Sequence, residues 1–70
     1  MKVKLDLVGL DGNAHSLMGA FRKAARQQKA DPAWVTSVLE DCMSGDYNHL
    51  LTVLMDATEP VEENEEYEFE

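Results

Sequence analysis

The sequence contains one cysteine, two prolines, one tryptophan, and no lysine or arginine beyond position 29 of its 70 residues. Each shortage excludes something. Cys42 alone cannot close an internal disulfide, and no cysteine pair has metal-ligand spacing, so the usual staples of mini-proteins are missing. That usage fits a reducing, cytoplasmic setting. No apolar run approaches the roughly 20 residues of a membrane helix. The opening MKVKLDLVGL also lacks the long apolar core and small-residue cleavage site of an export signal. The expectation is a soluble, unexported protein with no membrane partner. A chain this short removes only about 60% of its unfolded surface from water, which leaves a marginal core and favours a homo-oligomer or a partner.

What is present is divided sharply by charge. All six basic residues lie in the first 29 positions, where only Asp6 and Asp11 oppose them, so residues 1–30 carry a net +4. Residues 31–70 carry twelve carboxylates and no base, a net −12. Such asymmetry points to a partner or to an intramolecular clasp.

Val3, Leu5 and Leu7 alternate with Lys2, Lys4 and Asp6, the period-2 pattern of a strand buried on one face, here over residues 2–8. "GLDGN" breaks it, with Gly9 and Gly12 permitting positive φ and Asn13 capping the next helix. Over residues 14–29, Leu17, Met18, Phe21, Ala24, Ala25 and Gln28 recur at three- and four-residue steps, while Arg22, Arg26 and Lys29 share another face. Asp31 and Pro32 start a second helix over 32–43 with Val35, Val38, Leu39 and Cys42 as its stripe. Gly45 suits the left-handed position that ends it. Asp46 caps a third helix over 46–58, with Tyr47, Leu50, Leu51, Leu54 and Met55 on one face and Pro60 barring continuation.

These elements predict an α+β, mostly helical fold: one N-terminal strand, then three short helices in a compact domain at residues 1–58. Its core comprises Val3, Leu5, Leu7, Leu17, Phe21, Val35, Val38, Leu39, Leu50, Leu51 and Leu54. Residues 59–70 form an acidic tail too poor in apolar residues to fold alone. Tyr67 and Phe69 nevertheless alternate with Glu66, Glu68 and Glu70 at strand period. Residues 65–70 are therefore expected either to pair with the N-terminal strand or to dock on the basic edge of the first helix.

"LVGLDGNAHSLMGAFRKAARQQ" and "SGDYNHLLTVLM" resemble a group of small phage and bacterial proteins whose motifs are similar to DGNAF and SGDYDHLL; the match spans residues 3 to about 55. The resemblance implies a small protein of phage type and no particular activity. His15 stands where the group has Phe, and Asn48 where it has Asp. The second departure removes a carboxylate and weakens any divalent-cation site there.

Two stretches offer chemistry. "GLDGN" could aim backbone N–H groups from Gly12 and Asn13 at an anion, although Asp11 would repel a phosphate unless Arg22 offsets it, and the glycine spacing of nucleotide-binding loops is missing. A plain strand-to-helix turn explains the same residues. "SGDYNH" places Asp46 and His49 one turn apart beside Tyr47, and beside "GLDGN" they would form one polar mouth. Against this stands a simple junction, with Asp46 as cap, Tyr47 as a core aromatic and His49 as cover. A zinc site from His15, Cys42 and His49 is weaker still, because Cys42 falls on an apolar stripe. Trp34 lies off the Val35, Val38, Leu39 stripe and suits either an interface anchor or edge packing.

No cofactor and no catalytic or metal residue is implied, and so short a chain offers little pocket to exclude water from a nucleophile. The leading expectation is a non-enzymatic, phage-type interaction protein that binds and inhibits or redirects a host protein with a basic surface, as in counter-defence. The alternative is an oligomeric sponge holding a small anionic signalling nucleotide in a mouth of Asp11, Asn13, Arg22, Asp46, Tyr47 and His49, with Arg26 as a second phosphate contact. Strand followed by helices also suggests ribbon-helix-helix DNA binders, but the −12 half opposes a phosphate backbone and ranks nucleic acid last.

Overall fold

A computed structural model describes residues 2–61. Its order is β1 (Val3–Lys4), α1 (Ala14–Gln27), α2 (Pro32–Met43), α3 (Tyr47–Ala57) and β2 (Thr58–Glu59). The fold is α+β and mostly helical, with three helices and one short strand pair among the described residues. Each expected cap forms: Asn13 accepts from the His15 N–H, Asp31 from that of Ala33 and Asp46 from that of His49, at 2.8, 3.1 and 2.9 Å. A carboxylate or amide oxygen thus takes an N–H that the first helical turn leaves unpaired.

The strand is shorter than its alternation suggests, two residues in place of 2–8. β1 and β2 pair in parallel with Val3 beside Thr58 and Lys4 beside Glu59, and the ladder ends where the Leu5 N–H meets the Glu59 carbonyl at 2.9 Å. Pro60 has no N–H to extend it. On the other strand, Asp6 accepts from the Val8 N–H at 3.0 Å and turns the chain away. The second strand is therefore Thr58–Glu59; the expected pairing or docking of residues 65–70 lies outside the described residues.

Helix α1 stops at Gln27, two residues before its expected end. Lys29 adopts φ 60°, with its N–H on the Arg26 carbonyl at 3.2 Å and the Ala30 N–H on that of Ala25 at 2.9 Å. This is a Schellman closure with lysine where glycine is usual. Gln28, freed from the helix, spans β1: its amide accepts from the Lys4 N–H and donates to the Lys4 carbonyl, both at 2.8 Å. The side chain occupies the edge where a further strand would pair.

The core is narrower than expected and built of smaller residues. Phe21 and Leu54 are 0% exposed, and Val3, Leu17, Val38, Cys42 and Leu50 are buried with them. Ala24, Ala25 and Ala57 complete it, while Leu5, Leu7, Val35, Leu39 and Leu51 are only half-buried around its margin. Small side chains let the helices approach closely, and so short a chain has too little material to cover every aliphatic residue. Thr58 is the buried polar residue of the described core, and its hydroxyl donates to the Leu54 carbonyl at 2.7 Å.

Candidate functional site

The two sequence motifs meet at the start of α3. The Tyr47 hydroxyl donates to the Gly12 carbonyl, tying "SGDYNH" to "GLDGN" across 35 residues of chain. The loop's own polar groups are spent within it. Asp11 accepts from the Asn13 N–H at 3.1 Å and from the Ser16 hydroxyl at 3.3 Å. With the Asp11 carboxylate inside the turn and Asn13 engaged as a cap, these contacts are those of a strand-to-helix turn, the reading set against an anion cradle. Gly9 has φ +91°, as the turn requires, whereas Gly12 does not use a positive φ.

His49 faces away from this loop, toward the α2–α3 corner. Its Nε2 lies 2.9 Å from Asp41 Oδ1 and 3.4 Å from the Ser44 hydroxyl, and the side chain is half-buried. The Asp41 hydrogen bond raises the imidazole pKa above its ordinary value. Ser, His and Asp together suggest a nucleophilic triad, but one ring nitrogen serves both neighbours here, and the Ser44 hydroxyl donates to the Asp41 carbonyl at 2.7 Å. A triad needs the two ring nitrogens divided between acid and nucleophile. This cluster is a clasp on the corner. Gly45 belongs to it for reasons of space and not of φ: a Cβ there would lie 2.7–2.8 Å from the His49 side chain.

A concavity of about 770 Å³ lies elsewhere, between α1 and α2. Its floor is Ala30, Pro32, Val35, Leu39 and Met43; Arg22, Arg26 and Lys29 stand along one rim, and Glu40 on the other helix. Arg22 and Arg26 stand there through their four-residue spacing along α1, and Lys29 through the closure that follows the helix. The floor was hidden in the sequence because α2 carries two apolar rows. Trp34, Val38 and Cys42 form one, turned to the core, while Val35, Leu39 and Met43 form the other, one position on. A stripe wider than one neighbour can cover is the signal that marks such a groove. Met43 is 65% exposed at its end.

The polar mouth that the alternative reading needs is therefore divided. Tyr47 joins Gly12; Asp11, Asn13 and Asp46 serve turn and caps; Arg22 and Arg26 line the separate groove; and His49 clasps the corner. Trp34 is half-buried and packs edge-on against Phe21, ring centres 5.8 Å apart, which is the edge-packing role. Burial, helped by the Asp41 charge, raises the Cys42 thiol pKa and keeps it a neutral core group. Among the described residues, no three His, Cys, Asp or Glu side chains converge as metal ligands would, and no helix is long and apolar enough to cross a membrane.

No family model, curated protein or solved structure matches this chain.

Proposed function

We propose that this chain is a small, non-enzymatic interaction protein of phage type that binds a basic surface of a host protein through its acidic half and inhibits or redirects it. One observation carries the reading: α2 and α3, packed on each other, bear no lysine or arginine, and expose Glu40, Asp41 and Asp56 with the capping Asp31 and Asp46. Carboxylates held on a rigid helical layer form a one-sign field that steers a cationic partner and weakens as salt rises. Six more of the twelve acidic charges follow in residues 62–70. The cytoplasm of the host cell is the setting this requires. Affinity capture from host lysate with the wild type and with Glu40→Lys/Asp56→Lys tests it. A partner should be retained at low salt, released by added salt and lost from the double variant. Capture indifferent to both changes overturns the electrostatic reading.

The groove favours a second reading, the homo-oligomeric nucleotide sponge. Its volume falls within the range of small-molecule sites, and two arginines on one rim suit bidentate phosphate contacts. Thermal-shift measurements with mono- and cyclic nucleotides decide it, since ligand at 100 times its Kd adds roughly 2.7 kcal/mol. Unchanged melting with every nucleotide ends this reading.

A further inference from the structure

The α1–α2 groove leaves one apolar row of α2 half-covered beside a rim of three cations, half of the chain's basic residues. An apolar floor with positive charge along one side calls for an occupant that is aromatic or aliphatic and acidic together. Residues 62–70, EENEEYEFE, have that composition: six glutamates, and Tyr67 and Phe69 spaced two apart. We propose that this groove is the intramolecular seat of the C-terminal segment, with Tyr67 and Phe69 over Val35, Leu39 and Met43 and the glutamates facing Arg22, Arg26 and Lys29. The inference goes beyond the acidic-surface reading, because it concerns the basic face.

The strand pair argues for the groove over the alternative of edge pairing. β1 has β2 on one side, and Gln28 takes both the N–H and the carbonyl of Lys4. A further strand would have to displace that amide. The same contacts set the reach. Glu59 lies beside Lys4, and Lys4 is bonded to Gln28, the neighbour of the rim residue Lys29. Parallel strands are about 4.8 Å apart, and nine extended residues span up to about 30 Å, enough to pass Lys29 and run along the groove. Extended chain places alternate side chains on one face, so Tyr67 and Phe69 can point to the floor together. Arginine beside an aromatic face adds a cation–π contact. Glu40 opposes the glutamates on the α2 side, which favours seating them along α1. Bound there, the segment covers the basic face and leaves the chain's exposed charge predominantly acidic.

Backbone amide NMR of the full-length protein, wild type against Tyr67→Ser/Phe69→Ser, tests the seat without touching a described core residue. Amides of Arg22, Arg26, Val35 and Leu39 should shift, those of Thr52 and Met55 should not, and tenfold dilution should leave the pattern unchanged. In an Arg22→Glu/Arg26→Glu background the serine pair should no longer move Val35 and Leu39. Shifts at residues 2–8 would assign the segment to the strand, shifts lost on dilution would assign it to a second copy, and no shifts would leave the groove empty; each overturns the proposal.

Discussion

The two halves of this small fold are connected by different means. α2 and α3 are joined through only Ser44, Gly45 and Asp46, and they form the most extensively packed pair of elements. In the N-terminal half, residues 5–13 separate β1 from α1, and that passage is held by side chains: Asp6 on Val8, Asp11 on Asn13 and Ser16, Tyr47 on Gly12. A short connection with a good cap settles its own geometry. The longer one combines local turns at Asp6 and Asp11 with one distant partner, Tyr47, which offsets part of the entropy that ordering the loop costs.

The largest test of this contrast lies where both halves share one core. Leu54 is fully buried, so Leu54→Ala should cost about 2–5 kcal/mol, enough to unfold most of so small a domain. Half-buried Leu51→Ala should cost distinctly less. Denaturant melts of the two variants check this, and equal losses would show the core to be wider than the described packing.

The corner of the acidic half comes next. Gly45→Ala drives a Cβ against the His49 ring and should destabilise by about 1–3 kcal/mol, the usual cost of overpacking. Adding His49→Ala should restore part of it, since that change removes the ring contacts and keeps the His49 Cβ, 2.8 Å from the new methyl. No rescue in the double variant would mean that the ring contributes nothing to the clash.

In the basic half, Lys29 holds a left-handed conformation that costs a lysine about 1–2 kcal/mol relative to glycine. Lys29→Gly should therefore raise stability by up to about 1 kcal/mol, the larger unfolded-state freedom of glycine offsetting part of the relief. A lowered melting temperature would indicate that the lysine side chain contributes more than its backbone costs.

The smallest effect is the pH dependence of the corner. The folded pKa of His49 is raised, chiefly by Asp41, so its contribution is fully present below the unfolded value of about 6.5 and is lost as pH rises through the folded value. Melting temperatures of wild type and His49→Gln between pH 6 and 8.5 should differ in favour of wild type at pH 6 and converge at the upper end. A constant difference would remove His49 from the pH response.

Local chemistry was legible from the residues alone. Asn13, Asp31 and Asp46 announce three helix starts because short polar side chains satisfy the first N–H groups wherever they stand, and Pro32 and Pro60 mark a start and a stop because they lack a donor. The basic face of α1 follows from periodicity. Partnership was not legible. Nothing local tells Val3 that it will lie beside Thr58, lets Gln28 leave the helix to span Lys4, or directs His49 toward Asp41 and away from the loop.

By itself, the sequence determined where helices begin, which faces are apolar and how charge divides along the chain. These depend on neighbours within a few residues. Only the tertiary structure decided which apolar row of α2 meets the core and which becomes the floor of a groove beside Arg22 and Arg26. Both rows are apolar in the text; packing against α1 and α3 buries Val38 and Cys42 and leaves Val35 and Leu39 half-open, and burial depends on which neighbours each row meets.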